Sequence, residues 1–185
     1  SELQDDIKLK KMVANFLNIA PYASPLISMK RMNQFKGSFS PDGQKIAVAA
    51  AKRDIANIYL VKLDGSIIKK LTKRGMNTDP DFSPTGNHVV FVSDIDGDEE
   101  LYLYDLTTNQ TEKLTDNTAD DFSPSFSPDG KEIVFVSNMD NIYHWEIYKI
   151  NVMNKKIKRL TKNKYWDGFP KFSSDGKRIV FSSKR

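Results

Sequence analysis

The chain of 185 residues contains no cysteine, so it can form neither a disulfide nor a thiolate metal site. That absence suits the cytosol and the periplasm equally. Only two histidines occur, His88 and His144, and neither stands in an HExxH or paired-His spacing, so no zinc centre is expected. No GxSxG segment is present, which leaves no nucleophile elbow of a serine hydrolase. The nine glycines stand singly, so no Gly-rich loop can wrap a phosphate. No apolar run approaches the roughly 20 residues of a membrane-spanning helix. The sequence opens on Ser1 with no initiating Met and no signal peptide, as expected of a processed or excised piece.

What is there is a globular composition, 39% hydrophobic and 28% charged, long enough for one sizeable core. The net charge of +4 comes from lysines scattered along the chain. A nucleic-acid surface would gather them with interleaved aromatics, so no nucleic-acid partner is expected.

The sequence also repeats itself. Phe-Ser recurs at Phe39, Phe82, Phe126 and Phe172, spaced 43, 44 and 46 residues apart. Leu-Thr recurs at Leu71, Leu114 and Leu160, and an aliphatic-Tyr pair at Ile58, Leu101 and Ile147 lies 13 residues before each. A period of this size marks a repeat architecture. Within each unit, a short extended piece with Gly or Pro ahead of Phe reads as a strand with a free edge. "SPDG", "SPTG", "SPDG" and "SSDG" then supply a turn, with Gly for positive φ. A nearly unbroken apolar run follows ("HVVFVS", "EIVFVS"), which implies burial on both faces. A polar loop, a Tyr-bearing strand and a short "KLT"-type strand complete the unit. Four short antiparallel strands per period, covered on both sides by like units, predict an all-β fold: a β-propeller of four-stranded blades.

"FSPDGKEIVFVSN", "EIYKINV" and "KRLT", in that order, resemble the WD-like repeats of the TolB-like propeller family, over residues 26–185. The resemblance implies a non-enzymatic module that mediates protein–protein interaction in the periplasm of a bacterial cell envelope. It implies no cofactor, and as partner the peptidoglycan-associated lipoprotein of the Tol-Pal system. The same repeat occurs in the substrate-gating propellers of prolyl-oligopeptidase-like serine peptidases, so a propeller fragment lacking its catalytic domain is the alternative.

TolB-type rings are expected to close with six blades. The period here places three blades at about 34–72, 78–115 and 121–161, and a partial one at 168–185. Residues 1–28 form a separate segment, expected as a helix capped by Ser1 with Gln4, or as a degenerate outer strand. Self-association through the incomplete blade is a further expectation.

Chemistry-bearing candidates are few. Asp94, Asp96, Asp98 and Glu100 alternate around Gly97 like part of a calcium loop, but an Asp-Gly hairpin with its charges in water is the favoured reading, and no metal site is assigned. Asp79, Asp81, Asp120, Asp121 and Asp167 lie at or just before the first strands of the units, where they can cap strand starts and hold water. No catalytic residue is assigned. A partner-binding loop face is expected at Arg74, Met139, Tyr143, His144, Trp145, Tyr165 and Trp166, because aromatics gathered at one end of a propeller anchor interfaces. Packing of Trp145 and Trp166 into the blades is the competing expectation.

Overall fold

The computed structural model describes residues 33–52 and 55–185, so the expected N-terminal helix or outer strand lies outside the described residues. These form fourteen strands and no helix. The first sheet holds β1 (Asn33–Phe39), β2 (Lys45–Lys52), β3 (Ile55–Lys62) and β4 (Ile67–Lys70). The second holds β5 (Asn77–Phe82), β6 (His88–Ser93), β7 (Glu100–Asp105) and β8 (Thr111–Lys113). The third holds β9 (Asp121–Phe126), β10 (Glu132–Ser137), β11 (Glu146–Asn151) and β12 (Ile157–Arg159). A two-stranded sheet of β13 (Asp167–Phe172) and β14 (Ile179–Ser183) follows. Each sheet runs in chain order with antiparallel neighbours. The first strand of each sheet packs beside the first strand of the next, β1 on β5, β5 on β9 and β9 on β13. These are the blades of a β-propeller, with β1, β5, β9 and β13 innermost.

The repeated words explain the repeated geometry. In the Ser-Pro-Asp-Gly turn, the Gly43 N–H donates to the Ser40 carbonyl at 2.8 Å, and Gly43 has φ of 68°. Ser40 Oγ accepts from the Lys45 N–H at 2.9 Å and thereby starts β2. The same serine closes the second, third and fourth turns, at Ser83, Ser127 and Ser173. The Leu-Thr pair works at the other end. The Leu114 N–H bonds the Leu101 carbonyl at 2.8 Å, and Thr115 Oγ1 accepts from the Leu101 N–H at 2.9 Å. Thr72 and Thr161 do the same for Ile58 and Ile147. A short outer strand is thus pinned by one side chain where its own ladder is too brief to hold.

Apolar faces meet between blades. Ala47, Ile58 and Leu60 of the first pack against Val89, Phe91 and Tyr102 of the second. Val90, Leu101 and Leu103 of the second pack against Ile133, Phe135 and Tyr148 of the third. Val134, Val136 and Ile147 carry the third onto Ile179 and Phe181. Full burial of each Val, Leu, Ile or Phe among these stabilises by about 1.5–3 kcal/mol.

The innermost strands are bulged. Their register shifts between Thr78 and Asp81, Phe122 and Ser125, and Gly168 and Lys171, brackets that contain Pro80, Pro124 and Pro170. Proline cannot donate to a ladder, so a bulge on an edge strand is where it fits. The preceding residues Asp79, Ser123 and Phe169 take left-handed backbone, with φ of 51°, 53° and 54°. The bulge turns carboxylates sideways. Asp79 Oδ2 accepts from the Ser123 N–H at 3.1 Å and from Lys36 Nζ at 3.1 Å. Asp81 accepts from Ser38 Oγ at 3.1 Å, the Phe126 N–H at 3.0 Å and Lys171 Nζ at 3.4 Å. One carboxylate therefore ties four blades together at their inner strands. Asp81→Ala is expected to lower stability by about 1–3 kcal/mol, read from the urea midpoint, because it leaves the Phe126 N–H without its acceptor. An unchanged midpoint would show that the apolar faces alone hold the blades in register.

Candidate functional site

Two sets of connections lie at one end of the blades. The connection entering each inner strand meets one joining the second and third strands, either of the same blade or of the blade before it. The Met76 N–H donates to Asp94 Oδ1 at 2.6 Å, the Asp120 N–H to Asn138 Oδ1 at 3.0 Å, and the Asp167 N–H to the Trp145 carbonyl at 2.9 Å.

Beneath this face the blade junctions hold buried acids. At the second junction Glu100 is fully buried and accepts from the Asn117 N–H at 2.6 Å, while Asn117 Nδ2 bridges to Asp121 Oδ2 at 3.0 Å. At the third, Glu146 accepts from the Asn163 N–H at 2.6 Å, and Asn163 Nδ2 bridges to Asp167 Oδ2 at 2.7 Å. Lys113 Nζ stands 3.7 Å from Glu100, and Arg159 Nη2 stands 3.0 Å from Glu146. Among the described residues, Oδ1 of Asp121 and of Asp167 is buried with no hydrogen-bond partner. Burial, reinforced by the Glu100 charge, pushes Asp121 up to about 7 against the pull of Ser137, Thr115 and Asn117. Asp121 and Asp167 are therefore buried junction residues, where the sequence suggested solvated strand caps. The triads repeat at one spacing of 46 residues, from Glu100 to Glu146, Asn117 to Asn163 and Asp121 to Asp167. That is the Leu-Thr period, a signal in the sequence that went unused.

The calcium-loop candidate does not assemble. Asp94 accepts from the Met76 N–H, Asp96 accepts from Tyr102 Oη at 2.6 Å and stands 3.5 Å from Lys113, and Glu100 turns inward to Asn117. The alternation that suggested one ligand set instead points its members to different partners. Among the described residues, no three His, Asp or Glu side chains are grouped to hold a metal ion. Glu99, at the same end, is raised by burial and then by Asp120, Asp79 and Asp94. Glu100, Glu146, Asp121 and Asp167 have no access to a substrate, so none can act on one as general acid or base.

The loop-face residues separate into two groups. Trp145 is half-buried, its ring 4.7 Å from Phe122, and packs with Val134, Val136 and Ile147. Met139 packs into the core between the second and third blades. His144 is half-buried, and Arg74 is exposed at the first junction, two junctions away from Trp166. Tyr143 and Tyr165 stand out, 81% and 40% exposed, on adjacent connections. Trp166 is half-buried, its ring 5.4 Å from Phe169. A Cβ at Gly168 would lie 2.2 Å from Trp166 Cη2, so glycine there is what lets the indole lie on the strand. Ile142 and Phe169, 68% and 60% exposed, extend the same surface and were not anticipated.

Comparison with known proteins fits this architecture. The family model described as TolB beta propeller domain matches residues 10–98 and 100–185. A protein TolB homolog of Chlorobium luteolum is 43% identical over 56 residues, 30% of this chain and 13% of its own length. A Tol-Pal system protein TolB of Francisella tularensis is 33% identical over 80 residues, 40% of this chain and 18% of its own. The crystal structure of TolB from Acinetobacter baumannii superimposes with a TM-score of 0.74 at 30% identity, covering 83% of this chain and 38% of that one. An oligogalacturonate lyase from Vibrio parahaemolyticus shares the fold alone, with a TM-score of 0.67 at 16% identity, over 85% of this chain and 48% of that one. The chain thus spans less than half the length of each of these proteins. With two matched segments taking in nearly all of its sequence, the chain belongs to the TolB β-propeller domain family.

Proposed function

We propose that this chain is a non-enzymatic propeller module that holds a protein partner on its loop face in the bacterial cell envelope. The observation that carries the reading is the apolar surface at the junction of the third blade with β13. There Ile142, Tyr143, Tyr165 and Trp166 are exposed or half-buried on connections tied together by the Asp167–Trp145 hydrogen bond, and Phe169 is exposed on β13 against Trp166. Exposed aromatics held on a rigid scaffold are the usual anchors of protein interfaces, because they bury large area at little entropic cost. The buried acids below serve the scaffold: they are closed to solvent, and no three His, Asp or Glu side chains among the described residues are grouped to hold a metal ion. Two relatives carry the TolB name, one as a Tol-Pal system protein. This supports the periplasm as the location and the peptidoglycan-associated lipoprotein as the partner.

The test is a binding titration of purified peptidoglycan-associated lipoprotein against the 185-residue chain and its Trp166→Ala and Tyr143→Ala variants. Each substitution is expected to weaken binding at least tenfold while the thermal midpoint changes little. If Trp166→Ala instead costs several kcal/mol of stability, the indole is a junction plug and the surface reading fails. If neither the parent chain nor the variants bind, the partner assignment fails.

A further inference from the structure

We infer that the cleft between the first and second blades binds a large apolar side chain carried next to a carboxylate, as at the C-terminus of a peptide. The inference deepens the reading of the loop face as a binding surface and rests on it. The cleft has a volume of about 330 Å³ and is walled by Leu71, Phe91, Ile95 and Tyr102. Phe91 and Tyr102 stack at 5.8 Å and give it a flat aromatic side.

The repeat shows why the cleft is open. The position of Ile95 is taken in the next blade by Met139, and that of Thr111 by Ile157. Met139 and Ile157 both pack into the core between the second and third blades. At the first junction Ile95 is 46% exposed and Thr111 puts a hydroxyl where the third blade has an aliphatic chain. The space that the third blade fills with its own side chains is therefore vacated between the first two.

The polar part of the junction differs in the same direction. Glu100 and Glu146 correspond to Asn57, and Asp121 and Asp167 correspond to Asn77. Asn77 satisfies itself on backbone, donating to the carbonyls of Ala56, Arg74 and Gly75 at 3.1, 2.8 and 2.9 Å. No acid is left inside for the following loop to reach. Where Asn117 and Asn163 turn inward to their glutamates, the first junction has Arg74, exposed beside the exposed Lys73. Both line the cleft, and among the described residues neither stands within 4.0 Å of a carboxylate. The nearby Asp94 and Asp96 are engaged, by the Met76 N–H and by Tyr102 with Lys113. An apolar slot beside two cations that no described carboxylate engages is complementary to an apolar side chain with an adjacent anion.

The probe is N-acetyl-phenylalanine, with the uncharged N-acetyl-phenylalaninamide as its control, titrated into the 185-residue chain and followed by backbone amide NMR shifts. The acid is expected to bind in the millimolar range, with shifts confined to the cleft, and the amide about tenfold more weakly. The double substitution Ile95→Met, Thr111→Ile installs the third blade's own filling and is expected to abolish binding. Arg74→Ala, on an exposed side chain, is expected to weaken it about fivefold, and it serves if the filled variant does not fold. Three results would overturn the inference: no saturable shifts up to about 50 mM, equal binding of acid and amide, or undiminished binding by the filled variant. Because the probe is not the protein partner, its failure is separable from failure of the lipoprotein titration.

Discussion

Glu146→Ala is expected to lower stability by about 3–5 kcal/mol, the range for breaking a buried ion pair by removing one partner. The Glu146 carboxylate is 1% exposed and accepts from the Asn163 N–H, Arg159 Nη2 and Thr161 Oγ1. Alanine leaves the Asn163 N–H without its acceptor and Arg159, among the described residues, with Asp140 alone, 2.6 Å away, as a counter-charge. Relief of the glutamate's own desolvation offsets part of this, which is why the figure stays below the sum of the individual bonds. Glu146→Gln, which keeps an oxygen for the Asn163 N–H, is expected to cost about 1–3 kcal/mol. Urea unfolding of the three proteins makes the measurement. Blades can unfold separately in a repeat array, so tryptophan fluorescence, reporting Trp145 and Trp166 beside this junction, should be read alongside circular dichroism. A Glu146→Ala midpoint equivalent to a loss under about 0.5 kcal/mol would mean that water reaches the junction and replaces the carboxylate.

Asp121 is expected to make the second junction weaken as pH rises from about 4 to about 7. Its folded pKa of about 7 lies above the unfolded aspartate value of roughly 3.9, so the folded chain binds this proton more tightly. The stabilisation is then fully present below about pH 4, falls as pH rises, and is gone above about pH 7. The rise to about 7 corresponds to at most roughly 4 kcal/mol. The groups facing Asp121 are Glu100, Asn117, Thr115 and Ser137, with Lys113 reaching Glu100 from β8. Aspartates held down by N–H donors slope the other way at lower pH. Asp105, held down to about 2 by the Thr108 and Thr107 N–H groups, contributes stability that is lost only as pH falls toward that value. A difference profile therefore isolates the effect: urea midpoints between pH 4.5 and 8.5 for the parent chain and for Asp121→Asn. Asparagine already occupies this position at the first junction as Asn77. The variant is expected to gain on the parent steadily from pH 4.5 to about 7 and then level off. A flat difference would show that Asp121 is ionised throughout and that its burial is compensated by donors.

Much of this was legible in the sequence because the repeat is legible. The turn serines, the Leu-Thr anchors and the doubly buried strands follow from local rules, namely a positive-φ glycine, a hydroxyl that accepts a backbone N–H, and apolar runs too short and β-branched for helix. Meeting of the two loop sets at one end also follows, since four antiparallel strands per blade place alternate connections together. The individual side chains were harder. Trp145 and Tyr143 are near neighbours on one connection, yet one packs on Phe122 while the other stands in solvent. Nothing local separates them, because the difference lies in what the innermost strand of their own blade presents. The Asp94 to Glu100 run misled for the same reason, its alternation being real while its members answer to Met76, Tyr102 and Asn117.

The sequence by itself determined the blade, its four strands, its turns and the number of units, because each depends on contacts within about 45 residues that every copy repeats. Tertiary structure decided what happens between copies. It decided that Asp81 spans four blades, that two junctions bury an acid pair while the first uses asparagines, and that the first is left with an open cleft. Those outcomes depend on small differences between neighbouring repeats, Thr111 against Ile157 or Arg74 against Asn117, and these acquire meaning only when the units are stacked. A junction is a comparison of two copies across space, and a single linear repeat does not contain it.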